Sequence, residues 1–350
     1  MPKRRKAKPY ARASSAFDKK QRVKAKPVLG KRALSNPFSS GGGGVFFECA
    51  VQSGYVVKML TGAFAPCLKW SWPIVELKLQ GKNAGFQTDD FIAFAEEKPN
   101  GRRARLLAQI KHAVTISAQD PVFAVVVAAA WADFRNPKVF DPEFDAIALI
   151  TGPLSTSDIQ NVRSLLDSTR TCATAAEFFA NVKFAKFTSN TKRAKLAAIK
   201  ALVMRANQGV PPADDELWRF LKAFHLIGYD LDQDAGASES FFKSLLGQFS
   251  VSSVDDLWNT IKSEVSKFNV SAGTITRDTL PPAIRDALKE RVRREQLAVP
   301  GPQLALAAPP PAQQTISGPH ADALVVAALT GGWSDKFAAD QATLQKIAGK

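Results

Sequence analysis

The sequence predicts an α/β (α+β) domain with a mixed central sheet flanked by helices, followed by an all-α region. Three observations carry that expectation. Residues from Trp72 to Gln80 alternate apolar and polar as a half-buried strand does. Two further β-rich segments flank Asn100-Gly101, the strongest short hairpin signal. From Thr191 onward, apolar residues recur at the 3.6-residue helical period in one segment after another.

Taken in order, Ser39-Ser40 and the Gly41–Gly44 run form a flexible joint, after which Val45 to Leu60 has helical spacing around Phe46, Val51 and Tyr55. The Trp72–Gln80 strand ends in the turn Gly81-Lys82-Asn83-Ala84-Gly85, and the hairpin supplies two more strands. Thr115 or Ser117 is placed to cap a helix over Pro121 to Phe134. Phe144 to Thr151 reads as a strand buried on both faces, as in sheets covered by helices. Ser155-Thr156-Ser157-Asp158 opens a helix to about Thr169. The expected units are a basic tail at 1–40, an α/β domain at 41–180, a helical region at 181–298, a Pro/Ala-rich linker at 299–319 and the start of a further helical segment at 320–350. Helices are expected over Thr191–Asn207, Asp214–Phe224, Ser238–Phe249, Ser253–Phe268 and Pro282–Glu295. A helix starting after a long linker suggests the front end of something larger.

The net charge of +15 is concentrated at one end. Residues 1–40 hold 13 Lys/Arg against the single acid Asp18, whereas the other 310 residues hold 34 basic and 31 acidic side chains. Such a tail has too little apolar content to fold alone and would hold polyanions by counterion release, with little sequence preference. Cys49, Cys67 and Cys172 lack C-x-x-C spacing, which argues against zinc and a disulfide framework and fits a reducing cytoplasm. No apolar run reaches the roughly 18 residues of a membrane span, so no membrane partner is expected. No G-x-x-x-x-G-K-[S/T] occurs, so the chain carries no P-loop of its own.

The polar residues of the hairpin carry the chemistry. With Asn100 and Gly101 as a two-residue loop, Asp90 lies opposite Lys111 and Ile92 opposite Gln109. Opposite residues share a face, so Asp90, Gln109 and Lys111 cluster while Asp89 falls on the other side. Phosphodiester hydrolysis requires a divalent cation, and Mg²⁺ (or Mn²⁺) needs only one or two carboxylates plus substrate oxygens. Asp90 suits the metal ligand, Lys111 the positioning cation, and Gln109 stands where a second carboxylate is common. Glu48 on the first helix can complete the metal sphere, with Glu76 an outside candidate. The plainer readings are a turn acid for Asp90, an ordinary strand lysine for Lys111 and a solvated helix position for Glu48. His112 points away by alternation and reads as structural. Lys58, Arg102, Arg103 and Arg105 read as solvated or phosphate-contacting rather than catalytic.

These residues resemble the PD-(D/E)xK restriction-endonuclease-like superfamily, in its variant with Gln in place of the second acid. Gly43-Gly44-Val45-Phe46-Phe47-Glu48, Thr88-Asp89-Asp90-Phe91-Ile92 and Gln109-Ile110-Lys111-His112 are similar to the nuclease domain of CD-NTase-associated double-stranded-DNA endonucleases, which also heads antiviral STAND ATPases of bacteria. Leu149-Ile150-Thr151-Gly152, Leu165 to Arg170, Leu217 to Leu221 and Asp230-Leu231-Asp232 fit the same pattern. The resemblance spans roughly residues 41–350, with motif-level specificity only at the nuclease. It implies that Asp90, Gln109 and Glu48 bind metal, that Lys111 is catalytic, and that the helical half restrains or relays activation. It further implies a double-stranded-DNA partner, an anti-phage setting, assembly as a homo-oligomer or with a partner, and an NTPase or sensor module beyond Lys350. The basic tail is not part of that pattern. It favours the alternative of a non-catalytic packaging protein, capsid-like with a basic inner arm. A decayed nuclease kept as an interaction module is a third reading, for which Gln109 speaks.

Overall fold

In the computed structural model, residues 43–288 are described except Pro99, Ala185, Phe187, Asp234 and residues 250–252. The basic tail at 1–40, the linker at 299–319 and the segment at 320–350 lie outside the described residues. Of the helix expected over Pro282–Glu295, residues 282–288 are described and helical.

Helix α1 (Gly43–Leu60) is followed by β1 (Ile74–Leu79), β2 (Phe91–Glu96), β3 (Arg103–Ile110), α2 (Pro121–Phe134) and β4 (Ala146–Thr151), the order the periodicities predict. Helix α3 runs through Thr156–Asp158, a π-helical stretch at Ile159–Arg163, and Ser164–Thr171. Then come α4 (Ala175–Lys183), α5 (Asn190–Ala206), α6 (Asp214–Ala223), β5 (Phe224–Gly228), α7 (Ala237–Gly247), α8 (Val254–Val270) and β6 (Thr274–Thr276).

Strands β1 to β6 form one mixed sheet in the order β5-β4-β3-β2-β1-β6. The neighbours β1, β2 and β3 are antiparallel, β4 runs parallel to β3 and to β5, and β6 runs antiparallel to β1. Two strands therefore come from the stretch whose pattern reads as wholly helical. Strand β5 starts at the residue after α6 ends, without a turn signal between them, and β6 is only three residues long.

The alternation of β2 and β3 divides the core in two. Phe91, Ala93, Leu106 and Ala108 join Phe47, Val51 and Tyr55 of α1 with Trp258, Ile261 and Val265 of α8. Ile92 and Leu107 join Phe123, Val127 and Trp131 of α2 with residues of α5 and α6 on the other face. Burial of these large side chains contributes on the order of 1.5–3 kcal/mol each. Strand β4 is buried at all six positions, as a parallel strand covered on both faces must be.

Two local expectations are corrected. Helix α2 is capped by Asp120, whose carboxylate accepts the Phe123 N–H at 2.8 Å. Ser117 and Thr115 instead brace that cap: the Ser117 hydroxyl accepts the Asp120 N–H, and Asp120 accepts the Thr115 N–H. The hairpin pairs Ile92 with Leu107 and Glu96 with Arg103, a register two residues from the expected one. A two-residue loop would make residue 99 part of the hydrogen-bonded closing pair, and Pro99 has no N–H to give. The loop closes instead through the Glu97 N–H to the Arg102 carbonyl and the Gly101 N–H to the Glu97 carbonyl, both 2.9 Å. Gly101 takes the left-handed conformation at φ 68. A slip of two residues leaves every side chain on its expected face, where a slip of one would have reversed them all.

Among the described residues, no helix is long and apolar enough to cross a membrane.

Candidate functional site

The site lies where β2 begins and β3 ends. Asp90 immediately precedes β2, Gln109 is the penultimate residue of β3, and Lys111 is the first residue beyond it. One carboxylate oxygen, Asp90 Oδ2, gathers the three: it accepts from Gln109 Nε2 at 2.6 Å and from the Ile110 N–H at 2.5 Å, and lies 3.4 Å from Lys111 Nζ. Asp90 and Gln109 are each only 7% exposed, whereas the Lys111 side chain is one-third open to solvent. A buried carboxylate thus faces a cation that reaches the surface. Asp89 turns to Lys82 at 3.1 Å instead.

The Asp90 position is held from behind. Asp133 of α2, almost wholly buried, accepts the Gln87 and Thr88 N–H groups at 2.8 and 2.6 Å. These two bonds fix the loop that delivers Asp90 to the start of β2.

Glu48 enters from α1. Its Oε1 accepts from Gln52 Nε2 (3.0 Å), Gln80 Nε2 (3.2 Å) and Asn269 Nδ2 (3.0 Å). Gln52 stands one helical turn on from Glu48, and its Nε2 also donates to the Asp90 carbonyl at 3.1 Å, tying α1 to the start of β2. Burial raises the Glu48 carboxyl above its ordinary range, and the Asp90 charge adds to that; hydrogen bonds from Asn269 and Gln52 and the Lys111 charge oppose it. Asp90 is likewise raised, chiefly by burial, against the pull of Lys111, the Ile110 N–H and Gln109. Half-buried Glu48 thus feels the charge of buried Asp90, and both carboxylates feel the one ammonium of Lys111. Their negative charge is undercompensated, which is the electrostatic condition a divalent cation relieves.

The arrangement thus brings together Asp90, Gln109 and Lys111, with Glu48 electrostatically coupled to Asp90 and Lys111. Glu76 is elsewhere: it pairs with Arg103 at 3.3 Å, towards the other end of β1. His112 places Nε2 2.8 Å from Asp232 and packs edge-on to Phe47. Arg102 pairs with Glu97, Arg103 with Glu96, and Arg105 with Asp145. Lys58 lies over the Phe241 ring, and burial lowers its pKa.

Sequence reasoning missed Gln52, Gln80, Asn269 and Asp133. The four-residue spacing from Glu48 was a signal for Gln52. Nothing in the local pattern marked Asn269, which is 221 residues from Glu48.

The oxygen-donor set is what a hard cation takes. Asp90 and Glu48 supply carboxylates, and Gln109 an amide oxygen once the amide is turned, since its nitrogen now faces Asp90. No group of three or more His, Cys, Asp or Glu placed to hold a metal occurs among the described residues.

No known family model matches the sequence, and no curated protein does. Among solved structures, the chain is similar to the Cap4 SAVED/CARF-domain receptor of Acinetobacter baumannii with the cyclic trinucleotide 3'3'3'-cAAA, at 13% identity and a TM-score of 0.38 over 71% of this chain and 48% of that one. The receptor without that ligand gives 12% identity and the same TM-score over 71% and 47%. The chain spans about half the length of the receptor, and an overlap of that quality defines neither fold family nor activity.

Proposed function

We propose that the chain is a divalent-metal-dependent endonuclease of double-stranded DNA, built on a restriction-endonuclease-like core of the PD-(D/E)xK kind with Gln109 in place of the second acid. The observation that carries this reading is the convergence of Gln109, Ile110 N–H and Lys111 on Asp90 Oδ2. Asp90 and Glu48 would hold the ion, Mg²⁺ or Mn²⁺, with the Gln109 amide oxygen, once the amide is turned, as third donor. When bound, the ion supplies Lewis acidity and a more acidic water. Lys111 Nζ, at the solvent-facing side of Asp90, donates to the attacking water or to a non-bridging phosphate oxygen. There it balances the charge that develops as phosphorus becomes pentacoordinate. Burial of Asp90 and Gln109 strengthens these electrostatic interactions over their value in water.

The basic segment 1–40 would keep DNA close through counterion release, leaving the nearly neutral body to do the chemistry. The anti-phage role, the cytoplasmic setting and activation by assembly or by an NTPase module rest on the resemblance of the Glu48, Asp90 and Gln109–Lys111 motifs.

The test is cleavage of supercoiled plasmid with Mg²⁺ and with EDTA, comparing wild type, Asp90→Ala and Lys111→Ala. Nicking or linearisation is expected only with Mg²⁺, and each variant should lose about 100-fold or more. Cleavage in EDTA, or equal cleavage by the variants, rejects the site. DNA binding without cutting that survives both substitutions would favour the interaction-module reading instead.

A further inference from the structure

We infer that Gln80 and Asn269 are positioning residues that aim Glu48 at the metal site, so that the second half of the chain completes the site; this rests on the nuclease reading above. Three amide donors converge on the same oxygen, Glu48 Oε1. Oε2 takes no donor from any described residue and is the oxygen left for a cation. The amides also hold one another. Asn269 Oδ1 accepts from Gln80 Nε2 at 2.9 Å and from Gln52 Nε2 at 3.5 Å, while Asn269 Nδ2 donates to Glu48.

The backbone carries strain at both points that deliver these amides. Gln80 sits in the left-handed region (φ 51, ψ 64) directly after β1, which turns its side chain back toward α1. A non-glycine residue holds that conformation only where its surroundings impose it. Past the end of α8, Ala272 is also left-handed at φ 50. That turn is pinned to β1, since Lys78 Nζ donates to the Ala272 carbonyl at 2.8 Å and the Leu79 N–H donates to the Gly273 carbonyl at 3.0 Å. Asn269 thus reaches Glu48 because β6 is zipped to the edge of the sheet beside β1. The amide clamp also leaves Gln52 Oε1 buried with no partner, a cost tolerated so that Gln52 Nε2 can serve Glu48, Asp90 and Asn269 at once.

The clamp is not needed for packing. Gln80 and Asn269 are only half-buried, so Gln80→Ala and Asn269→Ala should fold with melting temperatures near that of wild type. The experiment is calorimetric titration of Mg²⁺ into the full chain and the two variants, alongside plasmid cleavage as a function of Mg²⁺. Each variant should bind Mg²⁺ at least tenfold more weakly, with cleavage recovered by raising Mg²⁺ and the KM for DNA unchanged. Wild-type Mg²⁺ affinity in both variants would overturn the clamp while leaving the nuclease reading intact. Failure of wild type to bind Mg²⁺ or cut DNA would remove the nuclease reading, and the clamp with it.

Discussion

The two ends of strand β3 handle charge in opposite ways. At its start, Arg103 is shared between Glu96 and Glu76, and Arg105 grips Asp145, whose oxygens also take the backbone N–H groups of Arg105 and Asp141. Arg102 pairs bidentately with Glu97 beside them. Every acid there touches a guanidinium directly, Glu96 and Glu76 the same one. At the other end, buried Asp90 has Lys111 at 3.4 Å and half-buried Glu48 has no cation in contact, and the remaining donors are neutral amides and one backbone N–H. Matched Arg–carboxylate pairs close a structure, whereas crowded carboxylates short of cations leave charge for something else to neutralise.

That contrast can be broken most forcefully at Asp145. Its side chain is 1% exposed, so Asp145→Ala orphans the Arg105 guanidinium and two backbone N–H groups. A loss of about 3 kcal/mol or more is expected in urea unfolding, with cleavage by the folded fraction unchanged. Next comes Asp133, which serves the other end from behind. Asp133→Ala strips acceptors from Gln87 and Thr88 and should cost about 2 kcal/mol. It should also slow cleavage, because the loop that places Asp90 loosens; unchanged cleavage would remove that role. The smallest stability effect, and of opposite sign, belongs to Asp90→Asn. Burial holds the Asp90 carboxyl above its ordinary 3.8. The folded state therefore keeps its proton longer than the unfolded chain does, and ionisation costs stability as pH rises from about 4. In EDTA, the variant should gain on wild type between pH 4 and pH 7 in thermal melts while losing cleavage with Mg²⁺. A gap that shrinks with rising pH contradicts this.

Much of this was legible in the residues, and the gaps have physical causes. Helix α1, the β1–β2–β3 meander, α2 and β4 follow from the 3.6 and 2.0 periods. The hairpin register was misread because Asn100-Gly101 outweighed Pro99, yet period-2 alternation kept Asp90, Gln109 and Lys111 on one face. Strands β5 and β6 were hidden by brevity and by the helices they adjoin; Phe224 continues the apolar period of α6 before turning into the sheet. The amides around Glu48 carried no charge to draw notice, and Asn269 arrives only through the tertiary pairing of β6 with β1.

The most direct test sets the two ends of β3 against each other with the same chemical change. Lys111→Met and Arg105→Met each remove a cation beside a buried Asp while keeping an apolar stem, and plasmid cleavage with Mg²⁺ is measured for both. Cutting should vanish in Lys111→Met and persist in Arg105→Met, which should lose only stability. If Lys111→Met cuts as wild type does, the site described here does not perform the reaction.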